Sequence, residues 1–193
     1  MRKTVLLALF IIQVGCINSI KQEDMSAYLE THKLILEKDV NSIKYKVSVV
    51  SNEVIIRQIL KETSAKNKID SIKQLYDKFL YLSAEISRFG TEILSSQAGS
   101  QQYKNFEFGI GDKAKLTTDN GDTLQLLDYN FPRTYGLTNA SRILFVFEMP
   151  DLSNSKYIEF SLADFGFHTG DVRFKFQSKK IQKYLNKRIL FID

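Results

Sequence analysis

Glycine and proline are distributed very unevenly along this chain of 193 residues, and the asymmetry limits the folds available to it. Neither residue occurs between Cys16 and Phe89, whereas eight of the nine glycines and both prolines lie beyond that stretch. Glycine and proline are costly inside helices and common in turns. The sequence therefore predicts an α+β protein with a helical hairpin at 24–96, a polar linker at 97–102 and a β-rich domain at 103–193.

The first half repeats apolar residues at the spacing of a helical face. Its most regular run, which we call the 72–93 seam, advances in steps of three and four and needs a partner helix to cover it. The seam consists of Ile72, Leu75, Phe79, Leu82, Ile86, Phe89 and Ile93. The polar stretch 61–68 separates the seam from apolar runs at 25–36 and 43–54, which favours a hairpin within the chain. A single long helix that forms a coiled coil between two copies, and hence a homo-oligomer, is the alternative.

The second half alternates apolar and polar residues with the period of two that strands show. The alternation occurs at 106–110, 158–162 and 172–176, whereas the run 143–147 is apolar on both faces and is expected to form a central strand. Short strands at this density are typical of a small antiparallel β-sandwich.

Three local signals complete the second half. Asn120 and Gly121 are typical of a type I′ hairpin turn, because both accept a positive φ. A short basic helix is expected near 178–186, and a last strand is expected at 189–192.

The N-terminus has the layout of a secretory signal. Arg2 and Lys3 precede an apolar run at 5–12, and the only cysteine of the chain, Cys16, follows shortly after it. A run of this length is too short to cross a bilayer core of about 30 Å.

Val14, Gly15 and Cys16 resemble the cleavage box of the bacterial lipoprotein family, although Gln13 stands where that family usually carries leucine. The resemblance implies that 1–15 is a signal peptide and that lipidation of Cys16 by a diacylglycerol group anchors the protein in a bilayer. An ordinary signal peptide, or a buried N-terminal segment with an incidental thiol, is the alternative.

The resemblance also implies a location in the bacterial cell envelope, with 16–23 as the lipidated N-terminus and tether. Ile17 stands where some Gram-negative lipoproteins carry a retention aspartate, so the resemblance implies the outer membrane rather than the inner one.

Charge and cysteine content exclude several classes of protein. The net charge of the whole chain is +5, and removal of Arg2 and Lys3 with the leader leaves 25 basic and 22 acidic residues, or +3. A surplus this small does not indicate a nucleic-acid-binding protein. One cysteine and two histidines exclude a disulfide framework within the chain and a cysteine-rich zinc site. No cofactor or metal is expected.

Catalytic residue types are scarce. His32 falls on an apolar face, which predicts a packed, hydrogen-bonded histidine rather than a base. Ser161, His168 and a nearby aspartate could form a catalytic set, but their segment also has the pattern of a plain turn between two strands. The carboxylates of Asp119 and Asp122 suit a calcium loop only in part, so a hairpin turn is the simpler interpretation.

Three groups of residues are candidates for binding. The segment 129–137 combines aromatic side chains with an arginine, as protein interfaces often do, although burial of its first two aromatics is the alternative. Its predicted partner-binding residues are Tyr129, Phe131, Arg133 and Tyr135, together with Ile72, Phe79 and Phe89 of the 72–93 seam. A basic cluster is predicted to contact the membrane surface, with a solvated helix face as the alternative. That cluster consists of Lys179, Lys180, Lys183, Lys187 and Arg188.

These observations predict a membrane-anchored, non-enzymatic lipoprotein that acts as a structural or assembly component of an envelope complex. Its expected partners are other envelope proteins and the bilayer, and not nucleic acid. Two alternatives remain: a binding or inhibitory (immunity-type) lipoprotein that captures one target, and a carboxylate-dependent hydrolase.

Overall fold

The computed structural model describes residues 19–62, 69–93, 101–132, 134 and 137–191. The predicted signal peptide, Cys16 and most of the predicted linker lie outside these ranges. In the described ranges the strands are β1 (Ser19–Lys21), β2 (Ile35–Val40), β3 (Ile43–Val50), β4 (Phe79–Arg88), β5 (Thr91–Glu92), β6 (Ala114–Thr118), β7 (Thr123–Leu124), β8 (Leu126–Asn130), β9 (Ser141–Glu148), β10 (Tyr157–Leu162), β11 (Val172–Gln177) and β12 (Arg188–Leu190). The α-helices are α1 (Met25–Thr31), α2 (Asn52–Glu62), α3 (Ile69–Tyr76), α4 (Gln101–Lys113) and α5 (Ser178–Leu185).

The predicted helical hairpin at 24–96 is wrong, because β2, β3, β4 and β5 occupy much of that range. Of the 72–93 seam only the beginning is helical, since α3 ends at Tyr76 and β4 follows. A spacing of four residues fits a helical face and also one face of a strand, whose period is two. Leu82 and Ile86 have that spacing, and both are fully buried on the inner face of β4.

The two halves of the chain share one antiparallel sheet, in the order β2-β3-β4-β9-β8, with β5 paired to β4. Strand β4 pairs with β9 from Phe79 opposite Glu148 to Ile86 opposite Ser141. The run 143–147, predicted to form a central strand, lies in β9 between two neighbouring strands. The change in glycine content therefore does not separate a helical unit from a β-rich one.

A second antiparallel sheet, in the order β11-β10-β6-β7, packs on the first. The ring of Phe160 on β10 lies 5.3 Å from that of Phe145 and 6.1 Å from that of Phe147, both on β9. Buried side chains from both halves of the chain belong to one continuous core. The protein is thus a β-sandwich, but its strands come from both halves.

The strand predicted at 106–110 is also wrong, since these residues lie in α4. Phe106 and Ile110, four residues apart, are buried, whereas Phe108 between them is 71% exposed. Phe106 and Ile110 lie on one face of the helix, although their spacing also fits one face of a strand; in the 72–93 seam the ambiguity has the opposite outcome.

The sandwich has two distinct ends. We call one end the turn pole: it carries the β2–β3 turn at 41–42, the β4–β5 turn at 89–90, the β8–β9 loop (described at 131–132, 134 and 137–140) and the β10–β11 loop at 163–171. The side-chain amide of Asn41 donates to the backbone carbonyl of His168, which joins two of these loops. We call the opposite end the helix pole, because β3, β4 and β11 connect there to α2, α3 and α5.

The first and last described strands meet at the helix pole. Strand β1 pairs in parallel with β12, and Ser19 lies opposite Arg188. Helix α5, at Ser178–Leu185, occupies the place of the basic helix predicted near 178–186. The start of the described chain is thus fixed beside its end.

The turn between β6 and β7 differs from the predicted type I′ geometry. Gly121 has a φ of +92°, but Asn120 does not have a positive φ. The N–H of Gly121 donates to the carbonyl of Thr118 at 3.1 Å, which is the bond of a four-residue turn that ends in a left-handed glycine. Only glycine accepts that conformation at no steric cost.

Gly121→Ala is therefore expected to lower the free energy of unfolding by about 1 kcal/mol, because alanine is strained at a positive φ. Gly109→Ala is the matched control: Gly109 lies within α4, and nothing lies within 4 Å of an added Cβ. It should raise the free energy of unfolding by about 0.5–1 kcal/mol through helix propensity. Urea unfolding measures both, and equal effects at the two sites would contradict the turn geometry.

Candidate functional site

Within the described ranges, neither histidine hydrogen-bonds to a serine or aspartate side chain. His32 stacks on Tyr28 with ring centroids 3.9 Å apart, and its Nδ1 lies 2.8 Å from the Tyr28 carbonyl oxygen, as a packed histidine should. His168 is exposed at the turn pole with a φ of +58°. The Ser161 hydroxyl donates to the carbonyl of Lys115 at 3.5 Å, and within the described chain no hydrogen bond joins it to His168.

Asp164 organises the β10–β11 loop. Its Oδ1 accepts the N–H of Phe167 at 2.9 Å and the hydroxyl of Thr169 at 3.4 Å. Burial raises the pKa of this carboxyl, but the hydrogen bonds from the loop outweigh burial and hold the pKa below its ordinary value. These hydrogen bonds hold the β10–β11 loop in its conformation.

The carboxylates of the β6–β7 turn also have partners within the chain. Asp119 accepts the N–H of Lys156 at 2.9 Å, and Asp122 pairs with the hydroxyl of Thr118 at 3.4 Å. Within the described ranges, no three histidine, cysteine, aspartate or glutamate side chains are grouped so that they could hold a metal ion. Strands β6 and β7 pair antiparallel on either side of this turn, as the hairpin interpretation predicts.

The aromatic residues at the start of segment 129–137 pack against α4. The Tyr129 hydroxyl lies within 3.2 Å of the carbonyl oxygens of Glu107 and Phe108 and donates to them. Phe131 is only 9% exposed and its ring lies 5.1 Å from that of Phe106. Arg133 and Tyr135, the other two predicted binding residues of this segment, lie outside the described residues. Tyr129 and Phe131 thus pack within the protein, which agrees with the alternative that these two aromatic residues are buried.

The three predicted binding residues of the 72–93 seam are not brought together. Ile72 on α3 and Phe79 at the start of β4 are half-buried at the helix pole, and Phe79 packs edge to face against Tyr81. Phe89 lies at the opposite end of β4, in the turn pole, and is 82% exposed. The seam was predicted as one helical stripe, and a strand of this length separates its members.

Phe89 occupies an unusual position for an aromatic residue. Arg88 pairs with Thr91, so Phe89 and Gly90 form a two-residue hairpin loop. Their φ angles are +51° and +72°, which is the pattern of a type I′ turn. Asparagine, aspartate and glycine are the usual residues there, and a bulky side chain in this region is an outlier.

A second exposed apolar side chain lies in the turn pole. Leu137, in the β8–β9 loop, is 88% exposed. The hydroxyl of Thr134 in the same loop donates to the carboxylate of Glu92 on β5, the strand that follows Phe89 and Gly90. This bond ties the loop to the hairpin. Leu137 is the last residue of the predicted binding segment 129–137, but it is not among the four binding residues predicted there, because a single sequence does not distinguish an exposed leucine from a buried one.

The predicted membrane-contact residues all lie at the helix pole. Helix α5 buries Ile181 and Tyr184, which leaves Lys179 and Lys183 exposed and Lys180 half-buried. The other two residues follow the helix and differ in position: Lys187 and Arg188 line a cleft, whereas the three lysines of α5 do not.

The cleft at the helix pole has a volume of about 1020 Å³. Its walls come from α2, α3, the loop 149–153, the end of α5 and the segment 186–191. It contains four cationic side chains, Arg57, Lys73, Lys187 and Arg188, and three carboxylates, Glu53, Asp77 and Asp151. We call it the helix-pole cleft.

Each carboxylate of the helix-pole cleft has a partner within the chain. Glu53 accepts the N–H of Ile189 and lies 3.7 Å from the Nζ of Lys73. Asp77 accepts the side-chain amide of Asn52 at 3.2 Å.

Asp151 forms hydrogen bonds within the loop 149–153 and with the residue that follows it, Asn154. Its carboxylate accepts the hydroxyl of Ser153 at 2.6 Å and the side-chain amide of Asn154 at 2.6 Å. The hydrogen bond from the Ser153 hydroxyl contributes most to lowering the pKa of Asp151. All three carboxylates of the cleft thus accept hydrogen bonds from other groups of the chain.

No comparison places the chain in a known group: no family model, no characterised protein and no solved structure matches it. Among the described residues, no helix is both long enough and apolar enough to cross a membrane.

Proposed function

We propose that the protein is a lipid-anchored, non-enzymatic binding component of the bacterial cell envelope. Lipidation of Cys16 holds it at the membrane, and the turn pole contacts a partner protein of the envelope. The residues Val14, Gly15 and Cys16 support the anchor, and the exposed Phe89 supports the contact.

The exposed side chain and the left-handed backbone of Phe89 are the main support for the proposed contact. Its side chain stays in water, although burial of a phenylalanine side chain contributes about 1.5–3 kcal/mol of favourable free energy. Its backbone adopts a left-handed conformation that asparagine or glycine would adopt more readily. Neither feature benefits the isolated fold. Aromatic side chains that fill a partner's pocket dominate the energetics of protein interfaces.

Leu137 is a second exposed apolar side chain at the turn pole, besides Phe89. Both side chains belong to the turn pole, and the bond from Thr134 to Glu92 keeps their two segments adjacent. A partner that covers the β4–β5 turn can therefore also cover the β8–β9 loop. We propose a binding role rather than assembly through a helical seam, because Phe79, Leu82 and Ile86 of the seam lie in β4.

The geometry of the sandwich suits a tethered binding protein. Ser19, three residues after Cys16, begins β1 at the helix pole, and Phe89 lies at the far end of the sandwich. Strand β4, with 10 residues, spans roughly 30 Å at about 3.3 Å per residue. An anchor at the helix pole therefore directs the turn pole away from the bilayer and towards other envelope proteins.

A photo-crosslinking residue placed at position 89 of the acylated chain in cells should give one saturable adduct with a partner. Phe89→Asn should reduce recovery of that partner by at least about 10-fold, because loss of a central aromatic contact costs 2 kcal/mol or more. The same variant should leave the free energy of unfolding unchanged or slightly higher, because asparagine suits a type I′ turn.

Leu75 provides the matched control, since it is an apolar side chain, 53% exposed, on α3 at the helix pole. A crosslinker at position 75 should give no such adduct, and Leu75→Asn should leave partner recovery unchanged. Cys16→Ser should release the protein from the membrane fraction. Equal recovery from wild type and Phe89→Asn would overturn the proposed contact, and membrane retention of Cys16→Ser would overturn the proposed anchor.

A further inference from the structure

We infer that the helix-pole cleft binds the phosphate-bearing headgroup of an anionic phospholipid. The inference rests on the proposed anchor at Cys16, which brings the cleft to a bilayer surface. It adds a ligand site to the proposed function and does not depend on the contact at the turn pole.

Covalent geometry places the cleft close to the anchor. Arg188 lines the cleft and pairs with Ser19 in the β1–β12 ladder, where neighbouring strands lie about 4.8 Å apart. The three residues from Cys16 to Ser19 span at most about 11 Å. The backbone of Arg188 therefore lies within roughly 16 Å of the backbone of Cys16, the proposed point of acylation.

The charge of the cleft favours an anion. Its four cations face three carboxylates that already accept hydrogen bonds from backbone or side-chain groups of the fold. Within the described chain, Arg188 forms no ion pair, and its side chain is exposed. Arginine binds phosphate through two parallel hydrogen bonds, so a phosphodiester is a suitable ligand for this group.

Apolar side chains lie beside these cations. Ile56 and Leu152 are 6% and 7% exposed, and Leu185 is half-buried. The Arg57 guanidinium carbon lies 4.3 Å from the ring centroid of Phe191, so this cation stacks on an aromatic ring. A phospholipid has groups that match both parts of the cleft: its phosphate suits the cations, and its glycerol and acyl chain suit the apolar side chains. A free phosphate has no apolar group that could contact these side chains.

The size of the cleft also suits a headgroup. Its volume of about 1020 Å³ lies at the upper end of the range usual for sites that enclose a small organic ligand, about 300–1,000 Å³. The lysines of α5 lie outside the cleft but at the same pole. They attract any anionic surface without selecting a headgroup, which allows site binding and general attraction to be separated by experiment.

The test uses the mature chain, residues 16–193, with Cys16→Ser, so that neither an acyl chain nor the apolar run of the leader contributes to binding. Dihexanoyl phosphatidylglycerol is titrated below its micellar concentration and followed by calorimetry, with dihexanoyl phosphatidylcholine and inorganic phosphate as separate probes. Phosphatidylglycerol should bind at least about 10-fold more tightly than either of the other probes, because only it combines a net negative phosphate with an apolar part.

The variants compare two charge changes of equal size. Arg57→Gln with Arg188→Gln should weaken binding of phosphatidylglycerol by about 10-fold or more, since both cations line the cleft. Lys179→Gln with Lys183→Gln removes two exposed cations of the same pole outside the cleft, and should change the affinity by less than about 3-fold. Arg188→Gln alone should weaken binding in the same direction, and its exposed position keeps it from affecting the fold.

Three results would overturn the inference. Equal losses in the two double variants would show general electrostatic attraction, equal affinity for inorganic phosphate would show a free-phosphate site, and absence of binding would remove the site. None of these results affects the anchor or the turn-pole contact if acylated wild type still fractionates with membranes and still gives the adduct at position 89.

Discussion

Phe145→Ala is expected to lower the free energy of unfolding by about 3–5 kcal/mol, the range typical of removing a fully buried phenylalanine. Phe145 is 0% exposed on β9, a strand with neighbours on both sides. Its ring packs against Phe160 of the opposite sheet at 5.3 Å and against Phe147 at 6.4 Å. The substitution removes apolar contact area and also leaves a cavity between two sheets that backbone ladders hold in place.

Urea unfolding, followed by the midpoint and its slope, measures this effect. Phe108→Ala is the control, because Phe108 is 71% exposed on α4 and its loss should change stability by less than about 0.5 kcal/mol. A loss below about 1 kcal/mol for Phe145→Ala would mean that the two sheets do not enclose this ring. The arrangement of the sandwich would then be wrong at its centre.

The errors in the sequence-based fold have one physical origin. Two residues four positions apart share a face in a helix and also in a strand. Leu82 and Ile86 were assigned to a helix and lie in β4, whereas Phe106 and Ile110 were assigned to a strand and lie in α4. Apolar residues spaced four apart therefore do not distinguish a helix from a strand unless a second sequence feature accompanies them.

A second signal was present in the sequence of β3. Ile43 and Val47 fit either period, but Lys44 and Lys46 alternate with buried residues, as a strand requires. The content of β-branched residues in this segment also favours a strand. In the second half, glycines and the turn residues marked the boundaries, and the strands there at 143–147, 158–162 and 172–176 follow their predicted patterns.

The candidate sites were predictable only in part. Phe89 was selected from the sequence, but as a member of a helical seam rather than as the tip of a hairpin. Of the cations of the helix-pole cleft, Lys187 and Arg188 were selected because they belong to a basic cluster in the sequence. Arg57 and Lys73 were not, because they reach the cleft from α2 and α3, far from the C-terminal segment. Their proximity depends on tertiary packing, which local patterns do not encode.

Alkaline pH is expected to destabilise the protein, with a large contribution from Tyr184. Burial raises the pKa of this hydroxyl to about 12, although the backbone of Ser51 opposes part of the shift. The side chain is 1% exposed, and its ring lies 5.9 Å from that of Tyr28. Burial also raises the pKa values of Tyr28, Tyr45 and Tyr81.

The direction of the effect follows from proton linkage. The folded state holds the Tyr184 proton to a higher pH than the unfolded state, whose tyrosines titrate near pH 10. The stabilisation is therefore fully present below about pH 10 and is lost as the pH rises towards 12, with a change of about 2–3 kcal/mol for this one group. Urea midpoints measured at intervals between about pH 9 and pH 11.5 should fall steadily.

Tyr184→Phe isolates the contribution of this hydroxyl. The variant keeps the ring in the core and has no proton to release, so its stability should fall less steeply with pH than that of wild type. Titration of tyrosinate absorbance in the folded state should also lose one late-titrating group. Parallel stability curves for the two proteins would contradict the assignment, because they would mean that the Tyr184 hydroxyl titrates alike in the folded and unfolded chains. Tyr184 would then reach solvent, and α5 would not be held against the start of α2 in the way that shapes the helix-pole cleft.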